Sequence, residues 1–161
     1  MTPLFERLKK TARENGVEWG GRESFLVALI CAEAALPVWE LAHPEDKRPQ
    51  LATEAARAWL QDPTDATSRG AFVASVAAGE AADETDDAAV CAAACAASWA
   101  ARAATWPAVI AADAVEETPH SFDWTPHFAA WAGVNEPVML RAFAHEVAGT
   151  PLEPLITAEL L

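Results

Sequence analysis

The chain has 161 residues, of which 52% are hydrophobic and 22% are charged, a composition that excludes a disordered, collagen-like or disulfide-dense protein. Its 11 basic and 24 acidic residues give a net charge of −13. Binding to nucleic acid is therefore not expected, because neutralising phosphates requires clustered Lys and Arg. A macromolecular partner should instead be basic. About a quarter of the residues are alanine, which has the highest helix propensity and favours an all-helical fold.

Apolar residues recur at three- and four-residue spacing along most of the chain, and no segment shows the alternation typical of a strand. Helices are predicted at 3–15, 23–41, 49–60, 66–82 and 88–105, and shorter ones at 108–115, 128–131, 136–148 and 152–161. The predicted fold class is all-α, a bundle or a stack of helix pairs with about seven to nine short alanine-rich helices. We expect them to form a single domain over residues 1–161.

Several positions in this pattern carry specific expectations. Pro37 should kink or break the second helix, because proline removes a backbone donor and clashes with the preceding turn. Leu51 should face the core from the third helix, and Phe72 and Val76, four residues apart, should be the buried anchors of the fourth. The fifth helix has small residues on every side, which allows close approach of its neighbours, so we place it near the centre of the bundle.

The cysteines and the apolar segments indicate a cellular compartment. Three cysteines, an odd number without framework spacing, predict reduced thiols and hence a cytoplasmic protein. Cys91 and Cys95 are one helical turn apart, where the two Cβ vectors are nearly parallel and poorly oriented for a disulfide. No secretory signal is expected in the first residues, which lack an apolar core. The low-charge stretch 88–112 is mostly alanine and contains Arg102 and Pro107, so it is not expected to span a membrane.

Several short motifs are concentrated between residues 31 and 59. They read Cys31-Ala-Glu-Ala-Ala-Leu-Pro37, Trp39, His43-Pro44, Asp46-Lys-Arg-Pro49 and Glu54-Ala-Ala-Arg-Ala-Trp59. In these motifs the chain resembles the alanine-rich helical immunity proteins of bacterial polymorphic-toxin systems. The resemblance covers residues 23–115 and is sharpest over 31–59. Residues 118–161 are a divergent C-terminal extension that we expect to pack on this core.

The resemblance implies a non-catalytic protein that binds and neutralises a cognate toxin inside the producing cell. A basic toxin, such as a nuclease with a cationic cleft, would suit the acidity of the chain. The sequence contains no glycine-rich phosphate loop, no nucleophile motif and no zinc-binding helix motif. We therefore expect no enzymatic activity and no cofactor, and a protein toxin rather than nucleic acid or a membrane as the partner.

Seven residues of the motif region are expected to support the fold rather than contact a partner. They are Glu33, Pro37, Asp46, Arg48, Pro49, Arg57 and Trp59. Glu33 is the one central charge of an apolar helix, and an unpaired buried carboxylate would cost several kcal/mol. We predict an ion pair from Glu33 to Arg48 or Arg57 that fixes how the second and third helices pack. The alternative is that Glu33 is a carboxylate of a functional site.

The surface that contacts the toxin is expected where acidic residues lie in connectors or beside tryptophan. In protein interfaces aromatic anchors supply affinity and charges accelerate association. We predict partner contacts from Asp83, Glu84, Asp86, Asp87, Asp113, Glu116, Glu117, Asp123 and Trp124. The alternative for the C-terminal tryptophans is that they cover the end of the bundle.

Two other classes of function stay open. Imidazole and carboxylate groups at His120, Asp123, His127 and His145 could ligate a metal, which would suit a metal-dependent or small-molecule enzyme on a helical bundle. A bound metal or an apolar ligand pocket would favour that hypothesis, although no metal site is predicted. Weak similarity among the alanine-rich helices would suit a helical-repeat adaptor or scaffold.

Overall fold

A computed structural model describes residues 3–17 and 21–104, together with Arg141 and Phe143. The described residues form five α-helices: α1 (Pro3–Glu14), α2 (Gly21–Ala42), α3 (Arg48–Gln61), α4 (Asp65–Asp83) and α5 (Ala88–Ala103). They confirm the all-α prediction, since no strand occurs in this part of the chain.

The number of helices differs from the prediction. The described part of the chain has five rather than seven to nine. The shorter helices predicted at 108–115, 128–131 and 152–161 lie outside the described residues, and of 136–148 only Arg141 and Phe143, both helical, are described. The expectation of one domain over residues 1–161 stays a prediction.

Short-range signals set the helix ends. Gly16 follows α1 with a φ of +74°, a left-handed conformation that favours glycine and ends helices. Thr64 and Thr67 form a capping box at the start of α4, and such a box satisfies two otherwise unpaired backbone N–H groups. Asp87 caps α5, because its carboxylate accepts hydrogen bonds from two backbone N–H groups of the first turn, at 2.9 and 3.0 Å. These local signals explain why the predicted bounds agree with the structure to within two residues.

The central position predicted for α5 is confirmed. The helix packs against α2, α3 and α4, and nine of its residues are buried, all but one of them alanine. A surface of methyl groups lets neighbouring helix axes approach closely. Two hydrogen bonds join α5 and its C-terminal cap to α4: the Ser98 hydroxyl donates to the carbonyl of Ser75 at 2.7 Å, and the Ser68 hydroxyl donates to the carbonyl of Ala104 at 3.0 Å.

The expected break in the second helix does not occur, because α2 continues through Pro37 to Ala42. Proline removes one backbone hydrogen bond, but the residues on both sides of it are anchored. Ala35 and Trp39 are buried, and the indole N–H of Trp39 donates to the carbonyl of Asp46 at 3.0 Å. Pro37 itself lies on the exposed side of the helix. Burial on either side therefore offsets the missing bond.

By length and composition, the segment Phe25–Ala42 of α2 could cross a membrane. Most of this segment is buried inside the bundle, where α2 packs against α5 and α3. A core helix of a bundle has this same composition, so packing accounts for the apolarity of α2. The shorter apolar helix α5 spans only Ala88–Ala103.

The orientation of α4 is opposite to the prediction. Phe72 and Val76 are 48% and 45% exposed, and Leu51 of α3, also expected in the core, is 54% exposed. The buried side of α4 is instead lined by small residues, here called the inner face: Ala71, Ser75, Ala78 and Ala82. Small side chains allow α4 to lie close to α5, and the larger apolar side chains are then left on the opposite side. That side is here called the outer face: Arg69, Phe72, Val73, Val76 and Glu80.

Candidate partner-binding surface

The ion pair predicted for Glu33 is present, and Arg57 rather than Arg48 is its partner. The guanidinium of Arg57 donates from Nε and Nη2 to the two carboxylate oxygens of Glu33, both at 2.6 Å. The Glu33 and Arg57 side chains are 21% and 30% exposed, so the pair is partly shielded from water between α2 and α3. A bidentate pair of this kind fixes orientation as well as distance. Its geometry supports a structural role for Glu33.

The ring of Trp59 strengthens the same contact between α2 and α3. Trp59 packs against Phe25 of α2 with ring centroids 4.7 Å apart and ring planes tilted by 58°. Its indole N–H is buried and has no hydrogen-bond partner among the described residues. Packing area rather than polar contact is therefore what Trp59 contributes to the fold.

Arg48, at the start of α3, joins two connectors at one end of the bundle. It donates from Nε and Nη2 to the carboxylate of Asp46, at 3.0 and 2.7 Å, and from Nη1 and Nη2 to the carboxylate of Glu84, at 3.1 and 2.5 Å. Asp46 lies in the connector between α2 and α3, and Glu84 lies in the connector between α4 and α5. The resemblance motif and the predicted partner surface therefore meet at one arginine.

The charges of this network are fixed at neutral pH. Hydrogen bonds from the Arg48 guanidinium hold the pKa of Asp46 and the pKa of Glu84 below their usual values. The two carboxylates in turn raise the pKa of Arg48, with Glu84 contributing most. Asp46 accepts a further hydrogen bond from the backbone N–H of Arg48 at 3.0 Å. All three groups thus remain ionised and held in place.

Two further motif residues shape the connector between α2 and α3. The ring of His43 lies against the buried ring of Trp39, with centroids 4.5 Å apart. Pro49 is fully buried in the first turn of α3, where its missing N–H costs nothing. These contacts position Asp46 for Arg48.

The four described carboxylates between Asp83, the last residue of α4, and Asp87 differ in their roles. Glu84 is paired with Arg48, and Asp87 caps α5. Asp83 and Asp86 are exposed. Two acidic residues therefore support the structure and two present charge to solvent. We call the whole surface the acidic end and define it as Glu45, Asp46, Asp83, Glu84, Asp86 and Asp87.

The other residues predicted to contact a partner lie outside the described residues: Asp113, Glu116, Glu117, Asp123 and Trp124. The candidate metal ligands His120, Asp123, His127 and His145 also lie outside them. Among the residues that are described, no group of three or more His, Cys, Asp or Glu side chains could hold a metal ion.

None of the three cysteines forms a disulfide, in agreement with the prediction of thiols. Burial raises the pKa of Cys31 to about 12. Burial, and then the neighbouring Cys91, raise the pKa of Cys95 to about 12. Both thiols are protonated at neutral pH and are therefore poor nucleophiles.

An open groove of about 480 Å³ runs between α3 and α4, a feature that the sequence did not predict. Its described lining consists of Arg48, Leu51, Arg69, Gly70, Val73, Ala74 and Ala77. The described lining is largely apolar, and none of these side chains is a general acid, base or nucleophile at neutral pH. Leu51 and Val73 are exposed and line this groove. Their exposure could have been predicted only if the small residues of α4 had been assigned to the core.

The match to a known family begins in the first turn of α2, includes α3, α4 and α5, and extends beyond residue 104. Residues 22–119, more than half of the chain, match the family described as Imm-5 like putative immunity protein. The chain belongs to this family. No curated protein matches the chain, and no solved structure matches it.

Membership of the Imm-5 like family confirms the resemblance found in the motif region, and the match begins and ends close to the expected 23–115. It supports an immunity role rather than an enzymatic one, and it implies a toxin as partner. The matched range contains the whole acidic end as well as Asp113, Glu116 and Glu117, whereas Asp123 and Trp124 lie beyond it.

Proposed function

We propose that this Imm-5 like protein acts in the cytoplasm of the producing cell, without catalysis, by binding a cognate toxin and blocking its activity. The acidic end supplies the charged part of the binding surface, and the toxin is basic, as a nuclease with a cationic cleft would be. The observation that carries the proposal is the Arg48 network within a chain of the immunity family. It joins two acidic connectors into one surface.

Arg48 gives the acidic end two properties that suit such a partner. Its hydrogen bonds orient the carboxylates of Asp46 and Glu84 and lower their pKa values, so less conformational entropy is lost when a cationic surface docks. It also neutralises part of the local charge, and Asp83 and Asp86 are exposed carboxylates without an ion-pair partner among the described residues. A surface with fixed negative charge accelerates association with a basic protein.

The experiment that tests this function uses the protein encoded beside this gene as the candidate toxin. Cells that express the toxin should grow when the wild-type chain is co-expressed, and the two proteins should co-purify. The double variant Asp83→Lys/Asp86→Lys should weaken binding on the order of tenfold, mainly through slower association. Failure of the wild-type chain to protect cells or to bind would contradict the immunity role.

A matched control separates local charge from total charge. Asp62 and Asp65 are exposed carboxylates at the other end of α4, and Thr64 provides the helix cap there. The variant Asp62→Lys/Asp65→Lys changes the net charge by the same amount and should bind nearly as well as the wild type. Equal loss of binding in the two double variants would show that the acidic end is not the contact surface.

A further inference from the structure

The outer face of α4 exposes large apolar side chains in a continuous stripe. Phe72, Val73 and Val76 are 48%, 68% and 45% exposed, and Leu51 of α3 lines the same groove as Val73. Contiguous apolar patches of this kind on a polar surface mark interaction sites. The stripe needs a partner surface that is itself apolar.

The stripe is bounded by opposite charges. Arg69 precedes it and Glu80 follows it, and both are exposed. They are eleven residues apart, which is about three helical turns, so they lie on the same side of α4 about 16 Å apart. Neither forms an ion pair with another residue of the described part of the chain. The partner should therefore offer a carboxylate opposite Arg69 and a cation opposite Glu80, with apolar side chains between them.

A second copy of α4 in the antiparallel direction offers this arrangement. Suppose that a two-fold axis passes near the midpoint between Ala74 and Ser75. Each residue of one copy then faces the residue of the second copy that lies equally far from this midpoint in the opposite direction along the sequence. Arg69 then faces Glu80 of the second copy, Val73 faces Val76, and both charge pairs form at once. We propose that the protein forms a symmetric homodimer through the outer face of α4.

This symmetry favours a second copy over an unrelated partner, because a two-fold interface requires one patch to be complementary to itself. A stripe of three turns is smaller than the roughly 800 Å² per partner of a typical stable complex. Two chains of net charge −13 also repel each other at long range. We therefore expect a dimer that dissociates in the micromolar range or above and becomes tighter from low to physiological salt, where this repulsion is screened. The dimer is independent of the toxin-binding proposal.

Sedimentation velocity of the full chain over a range of concentrations tests the dimer. The wild type should shift from monomer to dimer as its concentration rises. Arg69→Glu alone and Glu80→Arg alone should each weaken dimerisation roughly tenfold or more, because each places like charges opposite one another in both symmetric pairs. The double variant Arg69→Glu/Glu80→Arg should restore it. Each change also suits the helix dipole of α4, so the fold should be retained.

Apolar variants complete the test. Val73→Asn should weaken the dimer, whereas Leu41→Asn, at a residue of α2 that is 88% exposed, should not. A wild type that stays monomeric at millimolar concentration would overturn the proposal. Single charge variants that are not rescued by the double variant would overturn it too, because they would exclude the antiparallel pairing. If the wild type stays monomeric and Val73→Asn weakens toxin binding, the outer face binds the toxin rather than a second copy.

Discussion

The two faces of α4 differ in side-chain size and exposure, and this difference explains why apolar side chains remain available to bind a partner. The inner face has only small side chains, all buried, and one of its carbonyls accepts a hydrogen bond from α5. The outer face carries larger apolar side chains that remain about half exposed or more. Close approach of helices through methyl groups can stabilise a fold without large side chains. The larger apolar residues are then available for binding.

The largest expected effect is a loss of stability when a small residue of the inner face is replaced by a large one. Ala78 is fully buried, and Ala78→Leu should lower the free energy of unfolding by about 3 kcal/mol, because a close-packed contact cannot accommodate the added volume. Chemical denaturation measures the loss. Val73→Ala, on the outer face, should change stability by less than about 0.5 kcal/mol at concentrations where the protein is monomeric. Similar losses in the two variants would mean that the faces are not different.

A smaller effect is expected from the ion pair between Glu33 and Arg57, which joins α2 to α3. Glu33→Gln removes the charge but keeps the shape, and should lower the free energy of unfolding by about 1–2 kcal/mol, because Arg57 loses its carboxylate in a partly shielded site. Thermal and chemical denaturation report this change. Glu40→Gln, at another partly exposed glutamate of α2, is the control and should be near neutral. Unchanged stability in Glu33→Gln would contradict a structural pair.

The smallest expected effect is on the melting temperature at low pH, where the Arg48 network at the acidic end loses its contribution to stability. Because Arg48 lowers the folded pKa of Asp46 and Glu84, their contribution to stability is present above the unfolded pKa and is lost as the pH falls through the folded values. The melting temperature of the wild type should therefore exceed that of Arg48→Met at pH 7, and the difference should shrink below about pH 4. Arg69→Met, measured in dilute solution, should show no such pH-dependent difference. A constant difference for Arg48→Met would contradict the network.

The sequence predicted the elements whose determinants are local. Gly16, Thr64 and Asp87 mark helix ends through their own backbone or side-chain bonds, so the helix bounds followed from neighbouring residues. The need of Glu33 for a cation was also visible, because burial of an unpaired carboxylate in an apolar helix is unfavourable. The choice between Arg48 and Arg57 was not visible, since it depends on how α3 is rotated against α2.

Two features could not be read from the chain because each depends on tertiary packing. The stripe containing Phe72 and the stripe containing Ala78 both have helical spacing, and hydrophobicity alone selects the larger residues for the core. In this bundle the close approach of α4 to α5 reverses that choice. The contact between Arg48 and Glu84 joins residues 36 positions apart, and only the arrangement of α3 beside α4 brings them together. The acidic end was therefore predicted as a charged connector but not as a fixed network.

The most direct test of recognition at the acidic end is the rate of association with the candidate toxin, the protein encoded beside this gene. We predict that association of the wild type slows markedly between about 0.01 M and 0.15 M salt, as the Debye length falls from about 30 Å to about 8 Å, while dissociation changes little. At the lower salt concentration Asp86→Lys should slow association more than Asp62→Lys, although both change the net charge equally. Equal association rates at both salt concentrations, or equal rates for the two variants, would contradict recognition through the acidic end.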